Sequence, residues 1–328
     1  MQRTTLHTDG YCLCCGKPLK GTEEGGWHAS CVKKFFSTGK LPRINIDSRT
    51  LEQLAKDSTG RGLTVPGVQK KLSLHLDADR HGPRLTLVNY PTGYILKPPV
   101  EQFENMPRAE QAVMLMADAA GISTVPHRLI ARQGQTAYIT RRVDRIFGKD
   151  GAKMLAMEDF CQLSGRLTRD KYKGSYERCA GIIRRFSSRP GLDITEMFIR
   201  LVFCFITGNS DMHLKNFSLI ETAPGSRSYV LSPAYDLLPV NLLMPEDTEQ
   251  TALTLNGKKR GLRPKDFFAF AASRGIEKAV AQRLTDRLIG KKQTFIDICR
   301  RSLMSDEQKE NLRRLIEYRC AVLAGEKK

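Results

Sequence analysis

Gly208-Asn209-Ser210-Asp211-Met212-His213-Leu214-Lys215-Asn216-Phe217 directly follows the longest apolar block of the chain, Met197 to Thr207. That block contains only one charge, Arg200, and reads as a buried helix. The predicted helix spans Ile194 to Thr207, with Asp193 and Glu196 in capping-box spacing and Gly208 as its stop. Ile194, Met197, Phe198, Leu201, Val202 and Phe205 form its apolar stripe. An Asp followed by an Asn five residues later is the spacing of a protein-kinase catalytic loop. There the Asp meets the acceptor hydroxyl and the Asn holds magnesium. Twenty residues past Asn216, Asp236 ends Ser232-Pro233-Ala234-Tyr235-Asp236 and suits a second Mg2+ position. Upstream, Lys97 closes Tyr94-Ile95-Leu96-Lys97 and is the matching cation for the α and β phosphates of ATP. Each feature alone is common. In this order, within a β-rich half followed by a helical half, they point to phosphoryl transfer.

Competing chemistries are poorly supplied. His213 alone would be a hydrogen-bonded structural residue, and with Asp211 it could begin a metallohydrolase site. The helical half has no second histidine, because His75, His81 and His127 all lie upstream near strands. Gly60-Arg61-Gly62 does not complete G-x-G-x-x-G, since Val65 stands where the third glycine belongs, so a dinucleotide fingerprint fails.

Outward from the loop, the pattern gives strands over Lys71 to Asp77, Arg84 to Val88, Gly93 to Lys97 and Gln135 to Val143. A short helix is expected at Leu51 to Lys56 and a longer one from Pro107 to Ala120, closed by Gly121. From Glu158 the pattern is mainly helical, with three or more helices after Lys265, the last opening at Ser305 with Gln308 three residues on. The expected fold class is α+β, two-lobed: a small module over 1–42, a β-rich lobe over 43–157 and a helical lobe over 158–328.

The amino-terminal module carries Cys12, Cys15, His28 and Cys31, a C-x2-C-x12-H-x2-C arrangement. Two chelating turns a dozen residues apart are what a closed, structural Zn2+ site requires. Cys14 is either a spare thiol or a replacement for Cys12 or Cys15. The other five of nine cysteines are scattered through apolar surroundings, which suits reduced thiols in a cytoplasmic protein. No apolar run approaches the roughly 18 residues of a membrane span. The 53 Lys and Arg outnumber 35 Asp and Glu, giving a net charge of +18 and an attraction for nucleic acid or acidic partners. With aromatics at 7%, a base-stacking platform is not favoured.

The sequence resembles the HipA family of serine/threonine kinases, toxins of bacterial toxin–antitoxin modules. The resemblance runs from about Gly60 to the carboxyl terminus. It rests on Thr64-Val65-Pro66-Gly67-Val68-Gln69-Lys70-Lys71-Leu72, Tyr94 to Pro98, Ile139-Thr140-Arg141-Arg142-Val143-Asp144-Arg145, Glu158-Asp159-Phe160-Cys161-Gln162, Asp211 to Asn216, and Tyr235-Asp236. It implies that Val65, Gly67, Val68 and Gln69 cradle ATP phosphates through backbone N–H groups. It puts Glu158 and Phe160 on a hinge near adenine, makes Asp211 the catalytic base, and gives Asn216 and Asp236 to Mg2+. His213 and Lys215 complete the family's loop, with Lys215 stabilising the transferring phosphate. Thr64 falls where the family carries an autophosphorylated serine.

About 45 residues precede the kinase core, where full-length members carry a β-rich subdomain. This is similar to the short, HipT-type toxins of three-gene modules, in which a small third protein supplies that subdomain. The resemblance further implies a helix-turn-helix antitoxin partner, DNA contact only through it, no membrane, and a protein substrate such as an aminoacyl-tRNA synthetase. Two other readings stand beside it: a regulatory kinase without antitoxin, and an inert nucleic-acid-binding protein using its basic surface and zinc knuckle.

Overall fold

The computed structural model describes residues 10–21, 23–44, 71–79, 82–86, 92–99, 103, 105–132, 135–148 and 151–326. The helix expected at Leu51 to Lys56 lies outside them. Chain contacts divide the protein into two compact units, Met1–Gln111 with Val125–Val143, and Ala112–Thr124 with Asp144–Lys328.

The first unit opens with the Cys/His segment and helix α1 (Ala29–Phe36). Its described residues form the strands β1 (Arg43–Ile44), β2 (Leu72–Asp79), β3 (Gly82–Thr86), β4 (Tyr94–Lys97), β5 (His127–Arg132) and β6 (Gln135–Arg141). They form one sheet in the order β1-β3-β2-β4-β6-β5, antiparallel except where β1 meets β3. Alternation decides β2: Leu72 and Leu74 are buried while Ser73 is exposed. β3 begins two residues earlier than the apolar pattern suggests, because Gly82 pairs with Asp79 to close the β2–β3 hairpin. β5 carries no alternating signal. Leu129 and Ile130 are adjacent and both buried, because this edge strand is covered on both sides.

Helix α2 (Met106–Ala120) follows the expected stripe, with Val113, Met116, Ala117 and Ala120 buried. In the second unit a two-stranded hairpin, β7 (Arg145–Gly148) and β8 (Gly151–Met154), precedes β9 (Met157–Asp159) and α3 (Phe160–Leu163). Then come α4 (Tyr176–Phe186) and α5 (Pro190–Thr207), followed by β10 (Ser218–Glu221) and β11 (Tyr229–Leu231). β9, β10 and β11 make a small antiparallel sheet, order β11-β10-β9, inside the half expected to be helical. Its strands have only three or four residues, too few to show a period. Helices α6 (Val240–Leu243), α7 (Pro264–Ser273), α8 (Lys278–Gly290), α9 (Lys292–Arg300) and α10 (Asp306–Ala324) complete the unit. The capping box expected at Ser305 and Gln308 is formed in full.

The box expected at Asp193 and Glu196 is not. Helix α5 starts a turn earlier, because Pro190 at its first position presets the helical φ. Asp193 is instead buried inside the helix. Its carboxylate accepts from the Leu231 N–H at 2.7 Å, the Ser187 hydroxyl at 2.6 Å and Arg189 Nε at 3.1 Å. Glu196 pairs with buried Arg200 at 3.0 Å, and Arg200 donates onward to the Ser232 carbonyl at 2.8 Å. The single charge in the apolar block therefore ties α5 to the segment leading to Asp236.

Gly208 ends α5 at φ 71, and a Cβ there would stand 2.5 Å from Leu315 Cδ2 on α10. Gly208→Ala is expected to cost more than about 1 kcal/mol, from left-handed backbone strain and the close approach together. Denaturant unfolding of the variant measures this. All nine cysteines are free thiols. No helix among the described residues is long and apolar enough to cross a membrane.

Candidate active site

Gly208 releases the chain into the Asp211 loop, whose order comes from its own backbone. Asn209 Oδ1 accepts the Asp211 N–H at 3.1 Å, and the Asp211 carbonyl accepts the His213 N–H at 2.8 Å. The same carbonyl accepts Asn216 Nδ2 at 2.8 Å. With its nitrogen spent there, the Asn216 amide has Oδ1 as its acceptor end, which is the atom a magnesium ion would need. Asp211 is half-buried. Its Oδ1 accepts the Tyr172 hydroxyl at 2.7 Å, and its Oδ2 lies 3.9 Å from His213 Nε2.

Tyr172 belongs to the turn between α3 and α4, where the Lys171 carbonyl accepts the Leu214 N–H at 3.1 Å. Its ring meets His213 edge-on at 5.1 Å. Burial, then the Asp211 charge and hydrogen bond, push the Tyr172 phenol well above its ordinary range, so it stays a donor.

Lys215 donates to Asp159 Oδ2 at 2.8 Å. Asp159 also caps α3, its Oδ1 taking the Gln162 N–H at 2.9 Å. Tyr235 donates to the Lys215 carbonyl at 3.0 Å. Because that carbonyl can only accept, the Ser218 hydroxyl is the donor in its 2.5 Å contact with Tyr235 Oη. This chain of bonds fastens the Asp236 segment to the Asp211 loop. Asp236 itself sits at φ 56, a left-handed conformation rare outside glycine and typical of strained functional positions. Asn216 and Asp236 thus fit a cation site in donor type, one amide oxygen and one carboxylate.

The expected hinge residues separate. Glu158 is exposed on β9. Phe160 is 0% exposed, and its ring stacks on Phe217 at 5.5 Å. Its N–H goes to the Phe217 carbonyl at 2.9 Å. Phe160 therefore packs beneath the loop and presents no ring surface to adenine. Thr64, Val65, Gly67, Val68 and Gln69 lie outside the described residues.

In the first unit, Lys97 ends β4 and donates to Glu110 Oε1 on α2 at 2.5 Å, with the two side chains 3% and 0% exposed. Tyr138 on β6 lies under the ammonium at 5.1 Å. A buried strand lysine paired with a helix glutamate is the arrangement that orients the phosphate-binding lysine of protein kinases. Glu110 was not recognisable in sequence. It sits between Ala109 and Gln111, and one carboxylate on a helix is usually solvent-facing.

The same unit gathers the Cys/His ligands. One atom each from Cys12, Cys15, His28 and Cys31 lies within 4.8 Å of the others, a group that could hold a metal. Cys14 is outside it: its Sγ takes Arg128 Nε at 2.8 Å. Among the described residues no other cluster of three or more His, Cys, Asp or Glu side chains converges in this way.

The family model described as the HipA-like C-terminal domain matches residues 63–294, and the chain belongs to that family. The Sinorhizobium fredii (strain NBRC 101917 / NGR234) protein Y4mE, named for a proposed kinase activity, is 28% identical over 74% of this chain and 58% of its own length. A second protein of that organism, Y4dM, similarly named, is 34% identical over 64% of this chain and 53% of its own. The chain thus spans little more than half of these two relatives. A similarly named Haemophilus influenzae protein is 27% identical over 95% of this chain and 97% of its own.

Among solved structures, the HipA–HipB–operator DNA complex of Shewanella oneidensis MR-1 contains a chain that superposes with a TM-score of 0.71 at 20% identity. That match covers 85% of this chain and 71% of the other. The Helicobacter pylori proinflammatory kinase CtkA matches at 0.52 and 15% identity, over 73% and 88% respectively. These likenesses establish the fold, HipA-like and mixed α and β.

Proposed function

We propose that this chain is an ATP- and Mg2+-dependent protein serine/threonine kinase, acting as the toxin of a cytoplasmic toxin–antitoxin module. The observation that carries the reading is the Asp211 loop. An Asp carboxylate oriented by Tyr172 stands on a backbone whose carbonyl aligns the Asn216 amide. In the proposed reaction Asp211 accepts the proton of the acceptor hydroxyl as that oxygen attacks the γ-phosphorus of ATP, and ADP leaves. Lys97, oriented by Glu110, holds the α and β phosphates, and Val65, Gly67, Val68 and Gln69 offer backbone N–H groups to them. Bound Mg2+ would neutralise charge on the phosphates, with Asn216 and Asp236 as its protein ligands. Lys215 would move between Asp159 and the transferring phosphoryl group, and His213 would support Asp211.

Family membership and the kinase names of the relatives support the activity. The HipB and operator DNA of the Shewanella complex support a helix-turn-helix antitoxin as partner, with DNA reached through it. A small third protein, autophosphorylation at Thr64 and an aminoacyl-tRNA synthetase substrate belong to the same proposal.

Incubating the purified chain with γ-labelled ATP, Mg2+ and a bacterial lysate tests it. A labelled band, identified by mass spectrometry as a translation protein, is the expected result. Absence of any labelled protein, the chain itself included, would overturn the reading. Tyr172→Phe is expected to slow transfer roughly ten-fold by releasing the Asp211 carboxylate from its orientation. The KM for ATP should hardly change, and steady-state kinetics separate the two.

A further inference from the structure

We propose that Cys12, Cys15, His28 and Cys31 hold one structural Zn2+ ion, and that this ion clamps the Cys/His module over the edge of the sheet that carries Lys97. The proposal rests on the first unit alone and stands whether or not the chain is a kinase.

The donor set is prepared for a metal in three ways. His28 Nε2 lies 3.0 Å from the Pro18 carbonyl. A carbonyl only accepts, so Nε2 carries the proton and Nδ1 is left with its lone pair. That Nδ1 faces the sulfurs, 3.5 Å from Cys15 Sγ and 3.9 Å from Cys31 Sγ. A second-shell carbonyl fixing the tautomer of a ligand histidine is a regular feature of zinc sites. Cys12 Sγ, in turn, accepts the Cys14 N–H at 3.4 Å and the His28 N–H at 3.5 Å, backbone donors of the kind that orient a metal-bound sulfur. Finally, the four ligand atoms span at most 4.8 Å, against about 3.8 Å between the sulfurs of a tetrahedral site with Zn–S near 2.3 Å. The shell therefore needs to contract by roughly one ångström at its widest. Three thiolates and an imidazole form a closed, soft set suited to structural zinc.

What the ion would hold follows from the neighbours of the ligands. Leu13, inside the first chelating turn, accepts the Leu129 N–H through its carbonyl at 3.3 Å. Trp27, next to His28 in the second turn and 1% exposed, donates Nε1–H to the Leu129 carbonyl at 3.1 Å. Both turns therefore grip one residue of β5, the terminal strand of the sheet. The outward backbone groups of that strand would otherwise invite pairing with another chain. Below them Trp27, Phe35 and Phe36 pack together. Phe35 and Phe36 reach Tyr94 at 5.9 and 5.4 Å, three residues before Lys97 on β4. A metal joining the two turns closes the clamp on β5 and braces β4 from one side.

Zinc content and hydrogen exchange of the full-length chain test this. One zinc per chain is expected. Cys14→Ser should keep it, while Cys12→Ser, Cys15→Ser and Cys31→Ser should lose it. Cobalt replacing the zinc should give the intense visible bands of tetrahedral thiolate coordination, which reads ligation in wild-type protein even where a cysteine variant fails to fold. Removing zinc with a chelator should speed exchange of the Leu129 amide about ten-fold or more, with faster exchange across β4. Protein purified without stoichiometric zinc, or Cys14→Ser losing it, would overturn the ligand assignment. Unchanged exchange at Leu129 after zinc removal would overturn the clamp.

Discussion

Asp211→Asn is expected to lower phosphate transfer about a thousand-fold or more while leaving the fold intact. The variant keeps what the loop depends on. The Asp211 N–H still meets Asn209 Oδ1, and the Asp211 carbonyl still holds the Asn216 amide and the His213 N–H. An amide oxygen can also accept the Tyr172 hydroxyl. The substitution removes the negative charge facing His213 and with it the capacity to take a proton, while the backbone bonds stay, so denaturant unfolding should move by under about 1 kcal/mol. The growth arrest that the proposed toxin role predicts on expression should disappear with the activity. Transfer within ten-fold of wild type would mean that another group takes the proton, and the kinase mechanism built on Asp211 would fail.

The Asp211–Asn216 spacing was legible because it is a local pattern, five residues apart in one loop. So was the Cys/His set, because chelating turns require short fixed intervals. The side chains that hold Asp211, Lys215 and Lys97 in place were not legible, since each comes from another segment of the chain. Tyr172 is 39 positions from Asp211, Asp159 is 56 from Lys215, and Glu110 is 13 from Lys97 across a strand-to-helix connection. Nothing in the composition of those segments marks them. The small β9–β10–β11 sheet was hidden for a different reason, because its strands are shorter than one detectable period. At the start of α5 two local signals compete, Asp193 as a cap and Pro190 as a first-turn residue. Pro190 prevails because its ring fixes φ outright, and Asp193 is then free to serve the Leu231 N–H.

The Lys97–Glu110 pair allows structural support and phosphate binding to be separated. Lys97→Met removes the ammonium from a carboxylate with 0% side-chain exposure. Breaking a buried ion pair from one side typically costs about 3–5 kcal/mol, and a large fall in the unfolding midpoint is expected. Glu110→Gln should be costly for the converse reason, because the ammonium is left beside a neutral amide and the Tyr138 ring. Replacing both, Lys97→Met with Glu110→Gln, removes both charges together. Part of the lost stability should therefore return, because neither charge is left buried opposite a neutral partner. Activity should follow a different course. If Lys97 holds the α and β phosphates, the double variant stays as inactive as Lys97→Met despite its recovered stability, and its affinity for ATP stays low. Were Lys97 only a structural partner of Glu110, activity would return with the fold. Unfolding curves and ATP titrations on the same four proteins therefore decide between a lysine that supports its sheet and one that binds the nucleotide.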